Sequence, residues 1–325
     1  MIRKHDITAA ITAAKSVLIA GHENPDGDSV GSSLALYHLF RNRGVVTTLY
    51  SVDPYPYNFL FLPGTGDVTQ TLPAEEPDIY LLVDAGAPQR IGDDLYRLLC
   101  TTRRPKILFD HHVVYRDLSS FFDVLFIDDA AAATAVLVYR FLKEFSFPIT
   151  REMALCLYAA VMADTGGMRY ASTNREAFLM LAELVDHVDP WEVAAQIWEE
   201  MPEGQLRLLG EAIASIRLVA GGKAALFQIT QEQLRRYGLG PDHIDSFINY
   251  ARAIKGVELA FRFREIAPGC YKVSIRSKGA VDASRIAHAF GGGGHRNAAG
   301  FTFAGTFEDA CALVEKVMCR VDFAH

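Results

Sequence analysis

Three features that would point to particular classes of protein are missing from this sequence. It contains five cysteines but no CxxC pair, which argues against a thiolate zinc site and favours reduced thiols in a cytoplasmic protein. No apolar run approaches the roughly 18 residues that a membrane span requires, and we expect no signal peptide. Positive charge is also scarce, because 32 basic side chains face 39 acidic ones and leave a net charge of −7. Such acidity argues against a long, sequence-independent nucleic-acid groove.

The remaining composition is that of an ordinary globular protein. Half of the 325 residues are hydrophobic and 22% are charged, which excludes disordered, collagen-like and low-complexity chains. At roughly 100–200 residues per domain, a chain of this length is expected to form two domains.

The first 200 residues alternate between strand and helix patterns. Short apolar runs lie at residues 16–20, 45–50, 78–83 and 106–109. Such runs are typical of strands buried on both faces of a parallel sheet. From residue 130 to residue 200 the pattern is almost entirely helical. We therefore predict an α/β fold in which residues 1–200 form a doubly wound, parallel-sheet domain.

The pattern changes between about residues 195 and 220. Residues 201–220 are predicted to form a connecting helix and linker, and residues 221–325 a smaller α+β domain with antiparallel strands. Because small-ligand sites often lie between domains, we expect the ligand to bind in a cleft between the two.

Acidic and histidine side chains are concentrated where the apolar runs and one predicted helix end. In chain order they are His22, Asp26, Asp28, Asp84, Asp110, His111, His112 and Asp164. The carboxyl ends of strands in an open α/β sheet face one crevice, so these side chains are expected to converge. Ionised aspartates share a small crevice only with cations, because like charges destabilise one another. The set suits two divalent metal ions, and its oxygen and imidazole ligands favour Mn²⁺, with Mg²⁺ or Co²⁺ as alternatives.

Each of these residues taken alone also has a structural explanation. A single aspartate after a strand, such as Asp84, is ordinarily a helix cap or a turn former. The adjacent pair His111 and His112 directly after a buried strand is harder to explain in this way, and so many buried charges need partners or metals. Two metal ions would polarise a phosphoryl oxygen and activate a water molecule for attack.

The order of these motifs resembles the DHH phosphoesterase superfamily. The matching segments are His22-x-Asn24-Pro25-Asp26-Gly27-Asp28, Asp84, Asp110-His111-His112, Ala163-Asp164-Thr165-Gly166 and, similar to the DHHA1 motif, Gly291-Gly292-Gly293-Gly294-His295-Arg296-Asn297-Ala298-Ala299-Gly300. The chain is most similar to NrnA-type oligoribonucleases and phosphatases of pAp (3′-phosphoadenosine 5′-phosphate). The resemblance implies that residues 1–200 are the catalytic DHH domain and residues 221–325 the substrate-binding DHHA1 domain.

The resemblance also implies a role for each motif residue. The ligands implied for one metal ion are His22, Asp26 and Asp84, and those for the other are Asp28, Asp84, His111 and Asp164, with Asp84 bridging the pair. His112 would contact the scissile phosphate, Asp110 would orient the histidines, and Asn24 would also contact phosphate. The sequence departs from the family after His112, where Val113–Arg116 replaces a segment that usually contains an asparagine. This departure concerns how the non-reacting part of the substrate is held.

The glycine run Gly291–Gly294 is predicted to be too rich in glycine for a helix or a strand. Glycines let backbone N–H groups approach an anion closely, although a flexible loop is the alternative. Nearby cations favour phosphate binding, as does the resemblance. The substrate-binding residues expected in this domain are Arg276, Ser277, Gly293, Gly294 and His295.

The leading hypothesis is a two-metal phosphodiesterase or phosphatase that acts on short nucleotides such as nanoRNA, pApA or pAp. A cyclic-dinucleotide phosphodiesterase and a RecJ-like single-strand exonuclease are alternatives, and the absence of an additional basic module argues against the exonuclease. An inorganic pyrophosphatase would lack the glycine-histidine motif, and a nucleotide sensor would not need the complete ligand set. The expected partner is a short nucleotide, with no long duplex and no membrane. Cleavage direction and a homodimer remain open.

Overall fold

The computed structural model describes residue 11 and residues 13–113, 117–278 and 281–319. The chain forms two compact units, Met1–Glu200 and Met201–His325. Each unit contains a six-stranded sheet.

The sheet of the first unit is entirely parallel, as its continuous apolar runs predict. Its strands are β1 (Ser16–Ala20), β2 (Val46–Tyr50), β3 (Val68–Thr69), β4 (Ile79–Val83), β5 (Lys106–Asp110) and β6 (Val124–Ile127). They are ordered β3-β2-β1-β4-β5-β6. The order reverses at the neighbouring strands β1 and β4, and such a switch point is where open α/β sheets bind ligands.

Helices cover both faces of this sheet. They are α1 (Gly27–Asn42), α2 (Asp93–Thr101), α3 (Thr134–Glu144), α4 (Arg151–Asp164), α5 (Arg175–Leu184) and α6 (Pro190–Ala194), with a π-helical turn at Ala195–Glu199. Val17 and Ile19 of β1 pack in the core that contains α1, α3 and α4, whereas Leu18 and Ala20 pack in the core that contains α2. Alternate residues of a strand point to opposite faces, and here both faces are buried. The expected doubly wound α/β domain is confirmed.

Two helix ends place acidic residues beside the carboxyl ends of the strands. Helix α1 begins at Gly27 because Asp26 Oδ1 accepts hydrogen bonds from the backbone N–H groups of Asp28 and Ser29, both at 3.1 Å. Helix α4 ends at Asp164. The first turn of one helix and the last residue of another therefore present acids to this region.

The sheet of the second unit is mixed. Its strands are β7 (Arg217–Val219), β8 (Ala224–Ile229), β9 (Leu259–Ala267), β10 (Cys270–Ser277), β11 (Gly293–His295) and β12 (Ala298–Ala304). They are ordered β11-β12-β10-β9-β8-β7. β8 and β9 pair in parallel, so the prediction of antiparallel strands is wrong at this pair. The chain between them forms helices, and parallel neighbours need such a crossover connection.

Helices also cover this second sheet, which confirms the expected α+β domain. They are α7 (Glu203–Ala214), α8 (Gln231–Tyr237), α9 (Ile248–Ala253), α10 (Ala283–His288) and α11 (Phe307–Met318). α7, α8 and α9 share one core and α10 and α11 another. Leu208 and Leu209 of α7 lie in the same core as Phe227 of β8, so α7 packs within the second unit. None of the described helices is both long enough and apolar enough to cross a membrane.

The glycine run contains a short strand. Gly293–His295 forms β11 and pairs with β12, so the prediction that Gly291–Gly294 is too glycine-rich for a strand is wrong. Gly294 has a φ of +138°, and a Cβ on it would lie 2.5 Å from the carbonyl oxygen of Ala298. Glycine is therefore required here for two backbones to pair closely.

Candidate metal centre

The acids and histidines singled out in the first unit lie together at the carboxyl edge of its sheet. His22, Asp26 and Asp28 follow β1, and Asp84 follows β4. Asp110 is the last residue of β5, and His111 and His112 come directly after it, while Asp164 ends α4. β1, β4 and β5 are neighbours in the sheet, so their carboxyl ends bring residues that are distant in sequence into one region.

One group consists of His22, Asp26 and Asp84. His22 Nε2 lies 3.8 Å from Asp26 Oδ2 and 3.5 Å from Asp84 Oδ2. One ligand atom from each residue lies within 4.8 Å of the others. His22 and Asp84 are buried, whereas the side chain of Asp26 is 59% exposed, so this group opens toward solvent through Asp26.

A second group consists of Asp28, His111 and Asp164, whose ligand atoms also lie within 4.8 Å of one another. His111 Nε2 lies 3.8 Å from Asp28 Oδ2 and 3.5 Å from Asp164 Oδ2. The same nitrogen is 3.7 Å from Asp84 Oδ1. Asp84 thus directs Oδ2 toward the first group and Oδ1 toward the second.

Backbone carbonyls orient both of these histidines. His22 Nδ1 is 2.7 Å from the carbonyl oxygen of Glu23, and His111 Nδ1 is 3.2 Å from that of Ala131. A carbonyl oxygen only accepts hydrogen bonds, so Nδ1 is the donor in each ring. In the neutral imidazole, the lone pair is then on Nε2, which faces the carboxylates. This is the usual arrangement of a metal-binding histidine.

The start of α3 holds two of the carboxylates. Asp28 Oδ2 accepts a hydrogen bond from the backbone N–H of Thr134 at 2.6 Å, and Asp28 Oδ1 accepts one from that of Ala135 at 3.0 Å. Thr134 Oγ1 donates to Asp84 Oδ1 at 3.0 Å. Thr134 is not predictable from the sequence, because a buried threonine at a helix start has no distinguishing motif.

The backbone of Asp84 is strained. It has a φ of +56°, in the left-handed region that residues other than glycine rarely adopt. Burial opposes ionisation of its carboxyl group, but hydrogen bonds with His112 and His22 outweigh burial and hold the pKa of Asp84 well below its usual range. The central carboxylate is therefore ionised and fixed in an unusual backbone conformation.

The acids of this region (Asp26, Asp28, Asp84, Asp110 and Asp164) outnumber its histidines (His22, His111 and His112). Burial and the neighbouring carboxylate of Asp84 raise the pKa of Asp28 well above its usual range. Burial, reinforced by the carboxylates of Asp26 and Asp84, raises the pKa of Asp164 to about 7, although His111 opposes this shift. A divalent cation among these carboxylates stabilises their ionised forms and so opposes both burial and the mutual repulsion. Buried oxygen and imidazole donors without thiolate therefore fit a hard or borderline divalent metal ion.

We expect Mn²⁺ binding to release protons and to become tighter as pH rises from about 7 to about 9. Burial lowers the pKa values of His22 and His111, but nearby carboxylates outweigh it and raise them to about 10 and about 9. Below these values each imidazole holds a proton that a metal ion must displace. Calorimetric titration in two buffers of different ionisation enthalpy measures the protons released. An affinity that is constant over this pH range, with no proton release, would contradict the expectation.

Asp110 orients His112. Asp110 Oδ1 accepts hydrogen bonds from His112 Nδ1 at 2.6 Å and from the His112 backbone N–H at 2.9 Å. Asp110 Oδ2 accepts one from the backbone N–H of Gly86 at 2.6 Å. These contacts fix the ring and direct its Nε2 away from Asp110.

The remaining predicted residues lie in the loop after β1 and in the second unit. Asn24 is exposed at the first loop, where its backbone N–H donates to Asp53 Oδ2 at 2.7 Å. Gly293, Gly294 and the backbone of His295 belong to β11 in the second unit. Residues Val114, Tyr115 and Arg116 lie outside the described residues.

Arg276 and Ser277 are adjacent on β10 but point to opposite faces of the sheet. Arg276 is half-buried, whereas Ser277 is 3% exposed. Ser277 Oγ accepts a hydrogen bond from Asn297 Nδ2 at 2.9 Å and lies 3.3 Å from the carbonyl oxygen of Arg296. Ser277 therefore supports the turn after β11, while Arg276 lies on the other face.

Comparison with known families identifies two domains in this chain. Residues 16–161 match the DHH family, N-terminal domain, and residues 221–319 match the DHHA1 domain. The chain is a member of the DHH/DHHA1 family.

Relatives of this DHH/DHHA1 protein cover most of its length. It is 29% identical over 291 residues to the bifunctional oligoribonuclease and PAP phosphatase NrnA of Thermus thermophilus, covering 89% of this chain and 84% of the relative. It is 22% identical over 303 residues to the protein of the same name from Bacillus subtilis, covering 91% and 92%. The crystal structure of an exopolyphosphatase-related protein from Bacteroides fragilis superposes with a TM-score of 0.90 at 28% identity, covering 97% of this chain and 95% of that one.

Proposed function

We propose that this protein is a metal-dependent phosphoesterase that hydrolyses short oligoribonucleotides, dinucleotides such as pApA, and pAp. The observation that carries the proposal is the position of Asp84, whose two carboxylate oxygens face separate groups of ligands while His112 lies 3.3 Å from Oδ1. Relatives named as oligoribonucleases and PAP phosphatases support the substrate class.

The first unit would hold two divalent ions, with Mn²⁺ favoured and Mg²⁺ or Co²⁺ as alternatives. The proposed ligands are His22, Asp26 and Asp84 for one ion, and Asp28, Asp84, His111 and Asp164 for the other. Such ions polarise a phosphoryl oxygen and lower the pKa of the attacking water. The ligand geometry supports this assignment because Asp84 is within reach of both groups.

His112 is the proposed contact to the scissile phosphate. Burial opposes its protonation, but the hydrogen bond to Asp110 and the carboxylate of Asp84 outweigh burial and raise the pKa of His112 to about 10. A protonated imidazole stabilises negative charge that develops on the phosphoryl oxygens during attack. The water oxygen forms the new bond to phosphorus, the bond from phosphorus to the ribose oxygen breaks, and that oxygen leaves with a proton.

The second unit would hold the rest of the substrate. Arg276 offers a guanidinium group on β10, and the glycine run with His295 offers a second candidate contact on β11. Asn24 in the exposed loop of the first unit is a further proposed phosphate contact. Each of these contacts is proposed to bind a phosphate or another polar group of a short nucleotide.

We also propose that the protein acts in the cytoplasm. All five of its cysteines are free thiols, and Cys100 and Cys319 are exposed. Exposed thiols persist in a reducing compartment, and short RNA fragments are an intracellular class of substrate.

A metal-titrated hydrolysis assay tests the proposed function. The wild-type protein is incubated with Mn²⁺ and, in separate reactions, with end-labelled pAp, pApA, longer oligoribonucleotides, a cyclic dinucleotide or inorganic pyrophosphate, and the products are resolved. We expect turnover of pApA and pAp that EDTA abolishes. Binding without turnover would make the protein a sensor, equal rates on long strands would favour an exonuclease, and turnover of inorganic pyrophosphate alone would exclude a nucleotide substrate.

Arg276→Ala is expected to raise the KM for pApA about 10- to 100-fold, because it removes one charge-assisted hydrogen bond to phosphate. The preference for the shortest substrates should also relax, and the bound Mn²⁺ should stay the same. Steady-state kinetics over substrates of increasing length measure both effects. Arg217→Ala is the control, since this exposed arginine of the same unit pairs with Glu308. Unchanged kinetics of Arg276→Ala on dinucleotides would exclude this contact.

A further inference from the structure

Arg90 lies beside the metal centre, although no motif marks it in the sequence. It belongs to a 3₁₀ turn, Pro88–Ile91, that follows β4. Its carbonyl oxygen accepts a hydrogen bond from the backbone N–H of Glu23 at 2.6 Å. This hydrogen bond joins the turn after β4 to the loop after β1. It fixes the backbone of Arg90 beside the residue that follows His22.

The guanidinium group of Arg90 and the ring of His112 border the same point in space. A Cβ placed on Gly86 would lie 2.9 Å from Arg90 Nη1 and 3.3 Å from His112 Nε2. Two groups that both lie so near one point can contact a single ligand of the size of a phosphoryl group. Gly86 has no side chain and a φ of +66°, so no Cβ crowds these two donors or pushes them apart.

Arg90 has an unusual set of partners for an arginine in an acidic region. Among the residues that the structure describes, its guanidinium makes one weak hydrogen bond, from Nη1 to the carbonyl oxygen of Ala85 at 3.5 Å. Within the described ranges, no carboxylate forms an ion pair with this half-buried group, although Asp84 lies two residues before Gly86 and Asp110 Oδ2 accepts a hydrogen bond from the Gly86 backbone N–H. Those two carboxylates are directed instead at His22 and His112.

A partly desolvated guanidinium without a carboxylate partner is suited to an external anion. Its planar donors match two oxygens of a phosphoryl group, and such charge-assisted contacts are about twice as strong as neutral hydrogen bonds. His112 Nε2 lies near the same point and would supply a second donor to the anion. The ligand chemistry indicated is a tetrahedral oxyanion, a phosphate ester.

We infer that Arg90 is a phosphate-binding residue of the catalytic centre, which holds a non-bridging oxygen of the scissile phosphoryl group beside His112. This inference deepens the proposed function and rests on it. During hydrolysis, negative charge is spread over the non-bridging oxygens, and cationic groups aimed at them lower the barrier. Arg90 thus acts on the substrate and has no role in holding metal.

The test compares Arg90→Ala and Arg90→Lys with the wild-type protein. Arg104→Ala is the matched control, because it removes the same charge from an exposed arginine that pairs with Glu76 and Asp78. Three quantities are measured: kcat on pApA with Mn²⁺, bound Mn²⁺ per chain, and the calorimetric Kd for adenosine 5′-monophosphate. We expect Arg90→Ala to lower kcat about 10²- to 10³-fold, to weaken nucleotide binding at least about 10-fold, and to keep its Mn²⁺.

Each result decides the role of Arg90. Partial recovery in Arg90→Lys, or rescue of Arg90→Ala by added guanidinium, supports phosphate binding, since a structural role would not respond to either. Wild-type kcat and nucleotide affinity in Arg90→Ala would overturn the inference, and so would loss of Mn²⁺ or a collapse of the melting temperature in both variants. If the wild-type protein hydrolyses none of the substrates, the proposed function fails. Loss of nucleotide binding in Arg90→Ala would then still establish the phosphate site.

Discussion

Asp84→Ala is expected to lower kcat on pApA by about 10³- to 10⁴-fold and to reduce bound Mn²⁺ more than loss of any other single acid. The reason is that its two oxygens face separate groups, so that both proposed ions lose a ligand. Metal ions contribute several kcal/mol of transition-state stabilisation, and each 1.36 kcal/mol is a factor of ten in rate. Steady-state kinetics and elemental analysis of the purified variant measure the two effects.

The matched control is Asp78→Ala, because Asp78 directly precedes β4 and Asp84 directly follows it. Asp78, which precedes β4, accepts hydrogen bonds from the backbone N–H groups of Lys15 and Ser16 at 2.9 and 3.2 Å. Asp78→Ala therefore removes a hydrogen-bonded carboxylate without touching the metal centre, and it should keep its kcat and its Mn²⁺. Full activity in EDTA, or an Asp84→Ala variant that behaves like the Asp78→Ala control, would exclude the two-ion centre.

His112→Ala and His111→Ala are expected to differ in kind. His112→Ala should lower kcat about 10²- to 10³-fold with its Mn²⁺ content unchanged, because His112 stabilises charge on phosphate. His111→Ala should lose bound Mn²⁺, because His111 Nε2 lies among the carboxylates of Asp28, Asp84 and Asp164. Metal content and kcat are measured on the same preparations.

A further histidine serves as the control for this pair. His38 lies on α1, where its Nε2 is 2.8 Å from the carbonyl oxygen of Pro63, and His38→Ala should change neither quantity. Loss of metal in His112→Ala together with full metal content in His111→Ala would reverse the two assignments.

The clustering of acids and histidines in the first unit could be predicted from the sequence because of how a parallel sheet is built. Each buried strand is a continuous apolar run, so a polar residue directly after it, such as Asp84, is conspicuous. Neighbouring parallel strands end at one edge, and this rule alone places Asp84 close to His22 and His111. Distance along the chain was therefore no obstacle to the prediction.

Other features could not be predicted because they depend on contacts that leave no local pattern. Arg90 reaches the centre through a short 3₁₀ turn, and Thr134 reaches it from a helix start whose position is set by tertiary packing. The pairing direction of β8 and β9 is decided by the crossover between them and not by the alternation within each strand. At Gly293–His295, backbone pairing with β12 outweighs the weak strand propensity of glycine.

The left-handed backbone of Asp84 bears on how this protein could evolve or be engineered. A non-glycine residue in that conformation costs on the order of 1–3 kcal/mol, a sizeable share of the stability of a typical domain. Glycine at position 84 would relieve that cost, but it would also remove the carboxylate that His22, His112 and Thr134 hold in place and whose lowered pKa stabilises the folded state. The strain and these interactions oppose one another at the same residue, so stabilisation of the active protein has to be sought at other positions.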